Sequence, residues 1–160
     1  MNIDTRALRN ALGQYATGIA VVATRDADGR PVGLTVNSFA SVSLDPPLVL
    51  WSLALTSAHL ATFRACSHFA VNVLAADQQH MSQRFAMTGN DKFAALAWTP
   101  GRGGAPLLEG CCARFECRSE VQHPGGDHLI LVGRVEAFDY TAQAPLLFHG
   151  GQYRIFDAAA

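Results

Sequence analysis

The chain has 160 residues, 49% of them hydrophobic and 16% charged, with a formal net charge of −1. That length suits one domain, residues 1–160, with a core that needs no staples, and the apolar content excludes a disordered chain. The near-zero charge leaves no basic footprint for nucleic acid, and so little charge over so much apolar content favours a homodimer.

No apolar run reaches the roughly 18–20 residues of a membrane span, which argues against a membrane protein. The segment Met1–Arg6 is polar and lacks the apolar stretch of a secretory signal, so a cytoplasmic protein is expected. The four cysteines, Cys66, Cys111, Cys112 and Cys117, lack the paired spacing of a zinc site. They read as reduced, buried thiols that pack like small hydrophobes.

In chain order, Ala7, Leu8, Ala11, Leu12 and Tyr15 recur at helical spacing and predict a helix over Thr5–Ala16, capped by Asp4 or Thr5. Ile19–Thr24 is a β-rich run. The Asp28-Gly29 pair then supplies a hairpin turn into a second strand, Pro31–Asn37. On that strand Val36 and Ser38 share one face, and Thr35, Asn37 and Phe39 the other. Ser41–Leu44 is either a further strand or a bulged continuation, ended by Pro46-Pro47, which offer no ladder donor.

Leu48–Leu55 is almost wholly apolar and predicts a strand buried on both faces. Thr56-Ser57 opens a helix to about Ala65, with Ser57 as its cap. A strand over His68–Leu74 and a helix over Asp77–Met87 follow, then an irregular stretch over Thr88–Pro106. Ala113–Gln122 alternates cleanly as a half-exposed antiparallel strand, and His123–Asp127 turns the chain into its partner, His128–Tyr140. A last strand covers Gln152–Phe156. About seven strands, hairpin connections and three helices point to a mainly β fold: a closed or partly closed antiparallel barrel with peripheral helices.

The stretch Gly33–Pro47 threads Thr35, Asn37, Ser38, Ser41 and Ser43 through Leu, Val and Phe. Each such group buried without a partner costs about 1–3 kcal/mol. Either these groups bond the local backbone, or a ligand with matching donors and acceptors lies against them. Neither common glycine-rich nucleotide loop is present. Thr56-Ser57, after an apolar strand, is either a plain helix cap or a phosphate seat, to which His59 and Arg84 could add donors. His128 stands at the mouth of a strand after Gly126-Asp127. There it is either a turn-end residue bonded to Asp127 or a group that meets a ligand. No nucleophile elbow and no catalytic carboxylate pair is evident.

Taken together, Gln14–Val22, Gly33–Phe39, Ser41–Pro47, Phe69–Leu74, Phe85-Ala86, Asp91–Phe93, Pro106–Leu108, Gly126–His128 and Gly151–Tyr153 resemble the flavin reductase-like family. The resemblance is strongest to the small reductase components of two-component flavin monooxygenases. It implies a homodimeric FMN-binding split barrel in which NADH or NADPH reduces FMN or FAD, and the reduced flavin passes to a partner monooxygenase. By motif, it implies that Thr35, Val36, Asn37 and Ser38 hold the isoalloxazine edge and ribityl chain, with Ser41 counted among them. Ser52, Ser57 and His59 follow the ribityl-phosphate path, and Phe85 packs near the flavin. His128, as catalytic residue, and Tyr153 border the nicotinamide. The alternatives are a flavin- or haem-binding split barrel without turnover, and a pyridoxamine-phosphate-oxidase-like enzyme, for which Arg and Lys are too few.

Overall fold

The computed structural model describes residues 3–89 and 91–156. Met1 and Asn2 of the N-terminal reading, and Asn90 of the irregular stretch, lie outside those residues. The elements in order are α1 (Thr5–Leu12), β1 (Thr17–Gly18), β2 (Ala20–Arg25), β3 (Pro31–Val36), β4 (Ala40–Leu44) and β5 (Pro47–Ala54). Then come α2 (Leu60–Ala65), β6 (His68–Val73), α3 (Gln79–Ala86), β7 (Trp98–Pro100) and β8 (Pro106–Leu108). The chain ends with β9 (Ala113–Gly125), β10 (His128–Tyr140), β11 (Leu146–His149) and β12 (Gln152–Ile155).

Seven strands form one antiparallel sheet in the order β3-β2-β6-β9-β10-β5-β4. Its two edges, β3 and β4, are neighbours in sequence, joined only by Asn37-Ser38-Phe39. A link that short cannot span a flat seven-stranded sheet, so the sheet curls until its edges meet. No ladder joins β3 to β4, and the barrel stays split along that seam.

The barrel interior is apolar: Val22, Val49, Trp51, Leu53, Phe63, Phe69, Val71, Leu129 and Leu131 form one buried cluster. Trp51 meets Phe63 and Phe69 edge-on, at 4.9 and 5.9 Å between ring centres. Gly133 makes room for this packing. A Cβ there would stand 2.4 Å from the Phe69 ring, so the inner face of β10 takes no side chain at its bulge.

A second cluster covers the outer side of β2, where Ile19, Val21 and Ala23 meet Met81 and Phe85 of α3, Phe93, Leu108 and Leu146. Strand β2, like β6, is therefore buried on both faces, and the expectation for Leu48–Leu55 is corrected. In β5 burial alternates, with Val49, Trp51 and Leu53 inward and Leu48, Leu50, Ser52 and Ala54 only half-buried. An apolar run reports what a strand could bury, while the neighbouring layers decide what it does bury.

Other boundaries move for local reasons. Helix α1 stops at Leu12 because Gly13 caps it, and Asp4 is the N-cap, accepting from the backbone N–H of Arg6 and Ala7. None of its residues is buried, so its apolar stripe faces outward. Helix α2 starts at Leu60, not at Ser57, because Thr56–His59 forms turns first. Ser41–Leu44 is a separate strand at the opposite edge from β3, and Asp45-Pro46 forms the turn into β5. Strand β9 runs on to Gly125, which shortens the predicted turn to Gly126-Asp127. Strand β11 has no counterpart among the predicted elements.

Candidate functional site

The seam is where the sheet leaves backbone groups open. Strand β4 pairs with β5 only as far as Ala40 opposite Leu50. Beyond that point the Ser38 hydroxyl takes the missing strand's place: it accepts from the Ser52 N–H at 2.9 Å and donates to the Ser52 carbonyl at 3.3 Å. Thr35 is also spoken for, since its hydroxyl donates to the Ser82 carbonyl of α3 at 2.7 Å. Ser82 continues the chain of contacts, its hydroxyl lying 3.0 Å from the Tyr153 Oη on β12. Backbone bonding thus accounts for Thr35 and Ser38. Asn37 and Ser41 differ: both are exposed, and neither side chain makes a hydrogen bond among the described residues.

Val36 points into the barrel core, and Phe39 packs against the same cluster instead of sharing a face with Thr35. The chain leaves the strand after Val36, which breaks the expected alternation. Phe85 is 1% exposed and lies edge-on to Phe93 at 4.9 Å. Its ring sits beneath Gly33, where a Cβ would come within 3.0 Å of it. Phe85 thus supports strand β3 from beneath.

Following β5 past Ser52 and β3 back from Val36, the connection Ala54–His59 runs beside Pro31–Gly33. A cavity of about 520 Å³ opens there, lined by residues that include Val32, Gly33, Ala58, His59, Thr62 and Lys92. Ser57 holds the turn at its edge by accepting from the His59 N–H at 3.2 Å. Burial, and then the Lys92 charge, push the His59 pKa down. Arg84, the expected extra donor, is instead bonded to the Ala94 carbonyl. Lys92 is the cation that sequence reasoning missed. Its only signal was the Asp91-Lys92-Phe93 motif, read for family likeness and not for charge. A second cavity, about 720 Å³, lies between α1 and the β11–β12 turn; Asn37, Thr17, Phe148 and Gly151 are among its lining residues.

His128 begins β10 opposite Ala54, and the next outward pair on those strands is Ile130 with Ser52. Its Nδ1 lies 2.7 Å from an Asp127 carboxylate oxygen. A carboxylate only accepts, so Nδ1 carries the proton and Nε2 is left to meet a ligand. The same hydrogen bond holds the Asp127 carboxyl below its ordinary range. The seam, His128 and the Lys92 cavity thus occupy one side of the barrel. Tyr153 joins them through Ser82, with its ring edge-on to Phe148 at 5.6 Å.

The cysteines take no part. All four are free thiols, and burial pushes Cys111 and Cys117 up to about 12, which keeps them protonated and unreactive. Among the described residues no group of three or more His, Cys, Asp or Glu could hold a metal ion. No helix of the described chain is long and apolar enough to cross a membrane.

The chain is 47% identical over 153 residues to the FMN reductase (NADH) SmoA of Agrobacterium fabrum, covering 96% of this chain and 87% of that one. It is 45% identical to the reductase component of the flavin-dependent trigonelline monooxygenase of Acinetobacter baylyi, covering 92% of this chain but 48% of that protein, about half its length. In structure it matches the Streptomyces globisporus NADH:FAD oxidoreductase SgcE6, solved with NAD and FAD fragments, at a TM-score of 0.93 and 37% identity over 100% of this chain and 99% of that one. Residues 12–157 match the family described as flavin reductase like domain, and the chain belongs to that family.

Proposed function

We propose that the protein is an NAD(P)H:flavin oxidoreductase that reduces FMN or FAD and supplies the reduced flavin to a partner monooxygenase. The observation that carries this reading is the split seam. It offers uncharged donors at Asn37, Ser41 and Ser52, and a polar path past Ser57 to the His59 ring and the Lys92 ammonium. That donor set fits a flavin: a planar head beside neutral groups and, in FMN and FAD, a phosphate toward Lys92.

Bound flavin supplies the redox chemistry, accepting hydride from the nicotinamide of the co-substrate. The protein's part is alignment. Thr35 and Ser38 fix the seam through their backbone bonds, so that Val36 and Asn37 present their backbone at a set position. Thr35 also anchors α3, which through Ser82 positions the Tyr153 ring. His128, oriented by Asp127, and Tyr153 border the nicotinamide side. Holding two reactants at about 3–3.5 Å in a fixed orientation contributes several kcal/mol without any nucleophile or metal.

The protein is read as a homodimer. A compact monomer of 17.1 kDa exposes roughly 7,800 Å². This chain exposes 9512 Å², with α1 unburied and the outer face of β5 and β10 only half covered. The excess, about 1,700 Å² per chain, amounts to about 3,400 Å² for a pair, within the range that obligate homodimers bury. A cytoplasmic setting with no nucleic-acid or membrane partner suits a co-substrate drawn from the cellular nicotinamide pool.

The test is steady-state oxidation of NADH and NADPH with FMN and FAD, followed by loss of nicotinamide absorbance. Turnover is expected with at least one pairing and shows which flavin and which nicotinamide are preferred. No oxidation with any of the four overturns the reductase reading. Tight flavin retention without oxidation would make the protein a carrier.

A further inference from the structure

We infer that the end of helix α1 is a co-substrate selector: the cavity it lines takes the phosphate-bearing half of the nicotinamide dinucleotide, and its charges admit NADH and reject NADPH. The inference rests on the reductase reading above and names a berth and a selector that the reading leaves open.

The cavity between α1 and the β11–β12 turn, about 720 Å³, has the size of a small-molecule site. It shares no lining residue with the Lys92 cavity. Asn37 of the seam link lines it, so it opens onto the seam. Hydride transfer requires the flavin and the nicotinamide to meet at about 3–3.5 Å. A flavin that lies from the seam toward Lys92 leaves the α1 side of Asn37 for the second reactant. Phe148, edge-on to Tyr153 at 5.6 Å, walls that side. Gly150 and Gly151 hold φ of +59° and +76°, and a Cβ on either would meet nothing within 4 Å. They leave an open strip of backbone, along which a ribose-phosphate chain can lie close.

The charges on the lining set the choice. Arg9 is its one Lys or Arg, and no Asp or Glu joins it among the described residues. Arg9 makes no ion pair among those residues, so its guanidinium is open to an anion. Around it lies the C-terminal end of α1, with Asn10, Gly13 and Gln14 on the lining. Partial negative charge gathers at such an end. The Gly150 N–H binds the Gly13 carbonyl at 2.9 Å and fixes this end against the turn. One cation beside a negative helix end suits the diphosphate of NADH. NADPH brings a further phosphate of charge about −1.5 to −2. No second cation awaits it, and the helix end repels it, so the selection comes from a repulsive element as well as an attractive one.

Steady-state kinetics at saturating flavin test this on wild-type, Arg9→Gln, Arg9→Lys and Asn10→Lys proteins. Wild type is expected to show kcat/KM at least about tenfold higher for NADH than for NADPH. Arg9→Gln should raise the NADH KM about tenfold with kcat held, the mark of lost ground-state binding, and Arg9→Lys should restore most of it. Asn10→Lys supplies the missing cation and should raise kcat/KM for NADPH about tenfold, with NADH changed by no more than about twofold. These positions are exposed on α1, so the fold tolerates the changes. ADP-ribose, which has the diphosphate and no nicotinamide, gives a readout without turnover. It should raise the melting temperature of wild type and of Arg9→Lys, and leave Arg9→Gln unmoved.

Equal use of NADPH by wild type, or no gain for NADPH in Asn10→Lys, overturns the selector. An NADH KM unchanged in Arg9→Gln, or no ADP-ribose shift in wild type, overturns the berth. Nicotinamide oxidation that persists in those cases leaves the reductase reading standing. If no nicotinamide is oxidised but ADP-ribose gives an Arg9-dependent shift, the berth stands and the reductase reading falls.

Discussion

The two faces of the β5–β10 pair are built from alternate residues of the same strands and do opposite work. Inward, Val49, Trp51, Leu53, Leu129 and Leu131 are buried in the barrel core, and Gly133 leaves room for Phe69. Outward, Leu48, Leu50, Ser52 and Ala54 stand opposite Arg134, Val132, Ile130 and His128, all only half-buried. A period of two separates them, so a one-residue slip would exchange core for site. The inner face holds the barrel together through buried area. The outer face keeps its groups available, at the cost of leaving apolar side chains part-wet.

The inner face should break first and hardest. Trp51 is fully buried and touches two aromatic rings. Trp51→Ala is expected to cost about 3–5 kcal/mol, as lost burial plus a cavity. Trp51→Phe should be far milder. The indole N–H is buried without a hydrogen-bond partner, so its removal gives up no bond. Urea unfolding of the two variants checks the contrast. A similar loss in both would mean that the indole has a partner, such as a buried water.

On the outer face the cost moves from stability to rate. His128→Ala is expected to lower nicotinamide oxidation by about tenfold, or 1.4 kcal/mol in the barrier. The flavin dissociation constant should change by no more than about twofold, a few tenths of a kcal/mol. The motive is a ring held by Asp127 at the strand mouth, with Nε2 free. Rapid-mixing reduction kinetics beside equilibrium flavin titration separate the two effects. An equal loss in both would move His128 to a binding role.

The two faces were not equally legible in the sequence. Periodicity located both long strands, and His128–Tyr140 coincides with β10. It could not tell which strand is covered twice, because the layer over β2 comes from α3, β8 and β11, far along the chain. Hydroxyl groups marked the seam but not their own partners. Ser38 and Thr35 turned out to bond Ser52 and Ser82, 14 and 47 residues away, which no local pattern encodes. Lys92 was hidden for the same reason. Its meaning comes from burial beside His59, and charge alone would have left it on the surface.

The smallest expected change in folding energy belongs to Leu50, on the outer face opposite Val132 and Ala40. Leu50→Lys adds no strain inside the barrel, so the stability of an isolated subunit should move by no more than about 0.5 kcal/mol, as for a surface site. Its effect on assembly should be large. If this face is buried between two copies, the lysine places an unpaired charge in an apolar contact, where charges are depleted. Light scattering should then give a dimer mass for wild type and a monomer mass for Leu50→Lys, with the strand content unchanged by circular dichroism. Should wild type itself be monomeric, the outer face is solvent-facing and the dimer reading fails. A dimer that survives Leu50→Lys would move the interface elsewhere, with the exposed Leu8 and Leu12 of α1 and the neighbouring Tyr15 as one apolar surface to test next.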